Sequence, residues 1–254
     1  MTLIRTVLAY LAIIGSTLVL GIPILVAMLF GARFRPGGFG DLAGRRFSRW
    51  VLAAAGVKLR INNPEQIEHG DARVYVSNHV SWFDVFALAA VVPRFRFIAK
   101  KELKKVPLFG PAAGRVAAIW VDRKNHRAAL DAYADAASQM KEGVSVVVCP
   151  EGTRGRSYAL RPFKKGPFVL AIAAQAPIVP CVIHGTMAVQ PKGGILIRPG
   201  EAEITFLEPV PTAGLGYPDR DELVRTVWTR MAEALERYGV KSDASVIDTR
   251  GSAA

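Results

Sequence analysis

The chain has 254 residues, 51% of them hydrophobic, and a formal net charge of +12 at pH 7. This length suits one large domain, or one domain with an appendage. Its two cysteines, Cys149 and Cys181, lie far apart in apolar runs. That placement argues against a disulfide framework and against zinc, and it indicates buried free thiols in a reducing compartment.

The positive charge indicates an anionic partner. Nucleic acid is one candidate, and a membrane surface with acidic substrates is the other. Charge alone does not separate the two, so the choice depends on the motifs farther along the chain.

The N-terminal stretch from Thr6 to Phe30 contains no charged residue. It is long enough to span a bilayer, for which about 20 apolar residues suffice, although Gly15, Gly21 and Pro23 weaken a straight helix. A cleaved signal peptide is disfavoured because the apolar run is too long and has no clear small-x-small site. A spanning helix and a helical hairpin that dips into the membrane both fit the pattern.

Basic residues follow this apolar stretch, namely Arg33, Arg35, Arg45, Arg46 and Arg49. By the positive-inside rule they place the rest of the chain on the cytoplasmic face of the membrane. They also lie where they can meet anionic headgroups, at about 1 kcal/mol each.

The segment after the apolar stretch predicts a loop from Arg33 to Asp41 and then a helix from Leu42 to Gly56. One side of this helix is apolar and consists of Phe47, Trp50, Val51 and Ala54. That side packs either on the membrane or on the main domain, and the pattern leaves both open.

Strands and helices then alternate along the chain. The expected strands are Val57–Ile61, Arg73–Ser77, Phe95–Ala99, Val116–Val121, Val144–Cys149 and Ile178–Ile183, followed by a terminal hairpin of Ile195–Arg198 with Glu203–Leu207. The expected helices are Trp82–Val91, His126–Lys141, Gly166–Gln175 and Arg220–Tyr238. The alternation predicts an α/β fold with a largely parallel sheet flanked by helices, preceded by a hydrophobic, membrane-associated helical segment.

Three regions follow from this pattern. Residues 1–56 form the N-terminal membrane-associated helical region, and residues 57–240 form the α/β domain. Residues 241–254 are polar and small and are expected to be a disordered tail.

Two polar motifs lie just past expected strand ends, where ligands bind in parallel sheets. In the first, His79 and Asp84 are five positions apart, which suits a general base and the carboxylate that orients it. Because Ser81 and Asp84 also form the pattern of a helix capping box, Asp84 has a second, structural interpretation. The other histidines (His69, His126 and His184) have no partner at useful spacing and are interpreted as structural.

The second motif is Glu151-Gly152-Thr153-Arg154. The guanidinium of Arg154 suits bidentate binding of a phosphate and does not lose its charge, and Gly152 allows close approach of the backbone. No Gly-x-Ser-x-Gly elbow, Walker A loop or Gly-x-Gly-x-x-Gly fingerprint is present, so the sequence indicates neither a covalent nucleophile nor a nucleotide cofactor. No metal site is indicated.

Four ordered blocks resemble those of the glycerolipid acyltransferases, specifically the 1-acylglycerol-3-phosphate acyltransferases. They are His79 to Asp84, Phe97 to Leu103 with Pro107 to Gly110, Glu151 to Arg154 with Pro162 to Gly166, and Ile178 to Ile183. The resemblance covers roughly residues 70 to 185.

This resemblance implies transfer of a fatty acyl group from a thioester to the sn-2 hydroxyl of 1-acylglycerol-3-phosphate (lysophosphatidic acid), giving phosphatidic acid in phospholipid biosynthesis. It assigns catalysis to His79 and Asp84. Substrate binding falls to Lys100, Glu151, Gly152, Thr153 and Arg154. Acyl-CoA or acyl carrier protein is the expected co-substrate, with no cofactor, and the expected partners are membrane lipids and the lysolipid acceptor rather than nucleic acid.

Two alternatives stay open. The chain could acylate another lysolipid, such as a lyso-ornithine lipid. It could also be a basic membrane-binding module without catalysis, although that interpretation leaves the His79/Asp84 pair unexplained.

Overall fold

A computed structural model describes residues 2–32, 35, 37–67, 70–122 and 125–247. Two residues named in the sequence analysis, Arg33 and His69, lie outside the described residues, as do residues 248–254.

The chain begins with one long apolar helical segment. Helix α1 (Thr2–Ser16) continues through a π-helical turn (Thr17–Gly21) into α2 (Ile22–Leu29). By length and composition alone, the 28 residues from Thr2 to Leu29 are sufficient to cross a membrane. The predicted apolar helix is therefore confirmed.

Both ends of this segment lie against the rest of the molecule. Near the start, the Ile197 N–H donates to the hydroxyl of buried Thr6 at 2.8 Å, and Ala9 is fully buried in an apolar cluster. Near the end, Ile24 is 3% exposed and packs with a second cluster formed by Ala43, Ala112 and Val116. The segment is thus docked along its length rather than attached at one end.

Helix α3 (Phe39–Ala55) starts three residues earlier than expected and ends at Gly56, whose φ of 72° is the left-handed conformation that glycine tolerates. Val51 and Ala55 on one stripe are fully buried in the cluster that also holds Ala9. This stripe therefore packs on the domain, while Trp50 on the same helix is 43% exposed.

Within the described residues, seven strands form one sheet in the order β1-β7-β6-β2-β5-β3-β4. The strands are β1 (Val57–Asn62), β2 (Val74–Ser77), β3 (Phe95–Lys100), β4 (Ala118–Val121), β5 (Ser145–Val148), β6 (Ile178–His184) and β7 (Gly200–Phe206). All neighbours are parallel except β6 and β7. The predicted α/β fold with a largely parallel sheet is confirmed.

Helices cover both faces of this sheet. They are α4 (Trp82–Val91), α5 (Phe109–Val116), α6 (His126–Lys141), α7 (Gly166–Ala174), α8 (Thr186–Val189) and α9 (Arg220–Glu236). Because strand side chains alternate between faces, Val74 and Val76 of β2 join the core beneath α7 and α9, while Tyr75 joins the core beneath α4. Burial on both faces explains why the central strands are continuously apolar.

The predicted terminal hairpin is wrong. Ile195–Arg198 is not a strand, and β7 pairs in parallel with β1 and antiparallel with β6. The segment instead bonds to α1, through Thr6 at Ile197 and through the hydroxyl of Tyr10, which donates to the Ile195 carbonyl at 3.1 Å. An apolar run cannot show from sequence whether its backbone partner is a strand or a helix.

Three further elements differ from expectation. Helices α5 and α8 were not predicted, and β4 begins at Ala118 rather than Val116.

In the tail, the Leu160 N–H donates to the Ser242 hydroxyl at 3.0 Å, and Val246 and Ile247 pack on the core. Residues 241–247 thus contact the folded domain through two apolar side chains in an otherwise polar segment. The domain boundaries and the disordered tail stay predictions.

The turn after β6 depends on Gly185. Its φ is 88°, and a Cβ at this position would lie 2.1 Å from the Glu201 carbonyl oxygen. We expect Gly185→Ala to destabilise the fold by about 3 kcal/mol or more, since left-handed strain adds to a clash with backbone. Thermal unfolding in detergent measures the loss.

Gly214→Ala is the matched control for that variant, because Gly214 has a φ of 79° but a Cβ added there would meet no atom within 4 Å. It should cost only about 1 kcal/mol. Equal losses in the two variants would contradict the close approach of β7 to Gly185.

Candidate functional site

The first motif lies where β2 gives way to α4. Ser81 has an extended backbone and its hydroxyl accepts from the Phe83 N–H at 3.1 Å, so the helix begins at Trp82. Asn78 fixes the connecting loop, because its side chain donates to the Ile183 carbonyl and accepts from the Ile183 N–H. These contacts hold His79 at the carboxyl edge of the sheet.

His79 and Asp84 are directly paired. The imidazole Nδ1 lies 2.8 Å from Asp84 Oδ2, and that oxygen also accepts the backbone N–H groups of Val80 at 2.7 Å and Ser81 at 2.8 Å. Asp84 is fully buried, whereas the His79 side chain is 15% exposed. One carboxylate thus caps α4 and orients the imidazole through Nδ1, so that Nε2 is the ring nitrogen that Asp84 does not engage.

Glu151 lies in the loop after β5, and its carboxylate contacts the loop that carries His79. Its Oε1 accepts the His79 N–H at 3.0 Å, and its Oε2 forms an ion pair with Arg161 at 2.8 Å. Burial raises the pKa of Glu151, and Arg161 opposes that rise. Both oxygens of Glu151 therefore have partners inside the protein, and its expected role in substrate binding stays a prediction.

The rest of the second motif wraps around His79. The Gly155 N–H donates to the His79 carbonyl at 2.7 Å. Gly152 has a φ of 78°, and a Cβ there would lie 2.8 Å from the Lys164 side chain. Thr153 is exposed, and its carbonyl accepts from Arg161. The two motifs therefore form one structure although they are far apart in the chain.

Arg154 stands beside the histidine motif. Its guanidinium carbon lies 5.0 Å from the centre of the Trp82 ring, which is a cation–π contact, and Lys192 donates to the Arg154 carbonyl at 2.7 Å. Burial lowers the pKa of Arg154 and the charge of Asp84 opposes this. The guanidinium nevertheless stays charged, as arginine does in proteins.

A cavity of about 290 Å³ opens next to Arg154. Tyr10 and Ile13 of α1 face Trp82 and Phe86 of α4 across it. Among the described residues that line this cavity, Arg154 alone carries a charge. Apolar walls with one fixed cation suit an amphiphile with an anionic head.

Lys100 is less closely tied to this centre. It ends β3, two strands from β2 in the sheet, so it shares the carboxyl edge with His79. Its side chain is 57% exposed and pairs with Glu102 at 3.4 Å. The geometry thus joins His79, Asp84, Glu151 and Arg154, and it leaves Lys100 at the periphery.

Some residues of this region escaped the sequence reasoning. Trp82 lies within the first motif and Arg161 lies close to the second. Their positions pointed to the site, but their residue types alone did not indicate a role in it. Thr186 donates to Asp84 Oδ1 at 2.5 Å from another part of the chain, and no pattern pointed to it. His184, interpreted as structural, stacks on Tyr238 with ring centres 4.2 Å apart and contacts the tilted ring of Tyr158 at 4.6 Å.

Comparison with known proteins gives consistent matches. The family model described as Acyltransferase matches residues 58–184. A 1-acyl-sn-glycerol-3-phosphate acyltransferase of Cocos nucifera is 30% identical over 220 residues, covering 84% of this chain and 68% of that protein. The 1-acyl-sn-glycerol-3-phosphate acyltransferase beta of Homo sapiens is 34% identical over 173 residues, covering 67% of this chain and 62% of that protein.

A solved structure shares the fold. The crystal structure of the 1-acyl-sn-glycerophosphate acyltransferase PlsC from Thermotoga maritima superposes with a TM-score of 0.79 at 24% identity, and the match covers 94% of this chain and 97% of that one.

The contact between Trp82 and Arg154 predicts a measurable effect on anion binding. Trp82→Leu should weaken binding of dodecyl phosphate about two- to fivefold, the worth of a partly exposed cation–π contact. Titration calorimetry in a neutral detergent measures this affinity. The matched control is Trp50→Leu, since Trp50 is 43% exposed and Trp82 is 40% exposed; equal affinity in both variants would remove the proposed role of the ring.

Proposed function

The chain belongs to the acyltransferase family, and from this premise we propose that it acylates the sn-2 hydroxyl of 1-acylglycerol-3-phosphate to form phosphatidic acid. Two relatives carry the name of this activity. The observation that carries the proposal is the His79–Asp84 pair in the loop that leads to Trp82, which together with Arg154 and several aromatic and aliphatic side chains lines a cavity. A hydroxyl to be deprotonated, a phosphate and a fatty chain each meet a matching group there.

The imidazole is the general base in this reaction. With Nδ1–H donated to Asp84, Nε2 has a free lone pair and removes the proton from the sn-2 hydroxyl as its oxygen attacks the thioester carbonyl carbon. The carbon–sulfur bond then breaks, and the imidazolium returns the proton to the departing thiolate. Base catalysis of this kind contributes about 10²- to 10⁴-fold, and Asp84 stabilises the imidazolium.

Arg154 binds the acceptor phosphate by charge-assisted hydrogen bonds. Trp82 holds the guanidinium at the cavity, and the walls contributed by Tyr10 and Phe86 contact the fatty chain. In this proposal Lys100, which ends β3 at the same edge of the sheet, leaves its ion pair with Glu102 to become a second phosphate ligand. Gly152 and Thr153 shape the loop that presents Arg154.

The donor is a fatty acyl thioester, either acyl-CoA or acyl carrier protein, and no resident cofactor takes part. Both donors are anionic, which fits the net charge of +12. The acyl group passes directly from donor to acceptor, without an acyl-enzyme.

The helical segment enters the membrane from one side. Thr6 and Ile24 both contact the domain, and 18 residues of helix separate them by about 27 Å, close to the full hydrocarbon thickness. A spanning helix would carry the domain into the bilayer, so the segment lies in one leaflet. The apolar side chains exposed on it face lipid: Leu3, Ile4, Val7, Leu11, Ile14 and Val19.

The basic residues that follow the segment, including Arg45, Arg46 and Arg49, meet the anionic headgroups of the cytoplasmic leaflet. The catalytic domain therefore lies on the cytoplasmic face.

One assay distinguishes the proposed function from its two alternatives. A panel of lysolipid acceptors with both donor types, followed by mass spectrometry, distinguishes lysophosphatidic acid from a lyso-ornithine lipid. A non-catalytic membrane-binding module would give no product with any acceptor.

His79→Ala should lower kcat at least about 10³-fold while the protein stays folded and vesicle binding is unchanged, because the base is lost and the fold is not. Product formation with purified protein measures the effect. His126→Ala, at the start of α6, serves as the histidine control and should keep full activity. Undiminished turnover in His79→Ala would remove the imidazole as base.

Arg154→Ala should raise the acceptor KM about 10- to 150-fold, since one hydrogen bond to a charged group is worth about 1.5–3 kcal/mol. The donor KM should change little. Arg60→Ala is the control, because Arg60 is an exposed arginine on the edge strand β1 that pairs with Glu201 of β7. An unchanged acceptor KM in Arg154→Ala would assign the phosphate to another cation.

A further inference from the structure

Thr186 lies outside all four sequence blocks yet touches the centre of the site. It is fully buried at the start of α8, and its hydroxyl is 2.5 Å from Asp84 Oδ1. The other oxygen of Asp84, Oδ2, is shared by His79, Val80 and Ser81. Within the described residues, the orientation of the carboxylate is thus fixed on one side by the histidine loop and on the other by Thr186.

The protons that each group carries determine which group donates and which accepts in these hydrogen bonds. A carboxylate only accepts, so the single hydroxyl proton of Thr186 points to Asp84. The hydroxyl of Tyr158 accepts the N–H of Met187, the residue after Thr186, at 3.0 Å. This second contact holds the start of α8 close to the bond between Thr186 and Asp84.

We infer that Thr186 is a positioning residue for Asp84 and, through it, for His79; this inference rests on the proposed function. Without the hydroxyl, Oδ1 is a buried acceptor without its donor, and the carboxylate rotates toward other partners. The imidazole then loses the fixed orientation that proton transfer requires. Substrate binding is not affected, because Thr186 is buried and does not line the cavity.

Independent contacts hold α8 in place when this hydroxyl is removed. The Ser81 hydroxyl donates to the Gln190 carbonyl at 2.7 Å, which ties the end of α8 to the start of α4. Gly185 is packed against β7 in front of α8. Replacing threonine by valine keeps the side-chain shape, so Thr186→Val tests the hydroxyl rather than the fold.

Thr186→Val should lower kcat about 10- to 100-fold, the loss expected for one hydrogen bond to a charged group. Both KM values should stay within about twofold, and Thr186→Ser should restore most of the rate. Thr212→Val is the matched control: Thr212 is 1% exposed and donates to the Ala176 carbonyl at 2.8 Å, away from the site. Wild-type kcat in Thr186→Val would overturn the inference.

A double-mutant cycle tests whether Thr186 acts through Asp84. If it does, Thr186→Val combined with Asp84→Asn should be no slower than Asp84→Asn alone, within about twofold. Multiplied losses would show an independent role and overturn the positioning assignment. Should Thr186→Val not fold, Thr186→Ser and Thr186→Ala make the same comparison, because they differ only in the hydroxyl.

A readout without substrate separates this inference from the proposed function. The downfield proton NMR resonance of the His79 Nδ1–H, assigned by its loss in His79→Ala, should be sharp in wild type and broadened or lost in Thr186→Val. An unchanged resonance would overturn the role of Thr186. Absence of phosphatidic acid from the wild-type reaction would instead overturn the proposed function and leave the NMR result to decide the inference.

Discussion

The architecture of the site depends on one buried charge, the carboxylate of Asp84. A buried carboxylate is costly unless hydrogen bonds and dipoles compensate it. Here two backbone N–H groups at the start of α4, the positive end of that helix, the imidazole of His79 and the hydroxyl of Thr186 do so. Because these donors come from the loop after β2 and from the turn after β6, satisfying this charge requires the two strands to be adjacent.

A second carboxylate connects the other motif to the same loop. Glu151 accepts the His79 N–H and pairs with Arg161, and the Gly155 N–H donates to the His79 carbonyl. The histidine backbone is thus held from both sides by the loop after β5. This loop also carries Arg154, so the distance between the base and the cation is set by backbone contacts rather than by flexible side chains. Such preorganisation is what a site for a phosphate-bearing alcohol needs.

The N-terminal helical segment completes the cleft in addition to meeting the membrane. Tyr10 and Ile13 of α1 form one wall of the cavity, while Thr6 joins the helix to Ile197 beyond α8. The outer face of the same helical segment is apolar and exposed. The exposed apolar surface of this segment and the cavity beside Arg154 are therefore parts of one packed unit.

Local sequence was sufficient for the α/β pattern, the apolar N-terminal helix and the pairing of His79 with Asp84, because periodicity, capping chemistry and short spacing are local properties. It also indicated that both motifs lie at strand ends, and in a parallel sheet such ends share one edge.

The order of strands in the sheet determined the remaining contacts of the site. Thr186 reaches Asp84 only because β6 lies beside β2, and Trp82 meets Arg154 only because β5 lies on the other side. The segment Ile195–Arg198 bonds to α1 instead of forming a hairpin for the same reason, since the partner of a backbone group far along the chain is set by tertiary packing and leaves no periodic trace in the sequence.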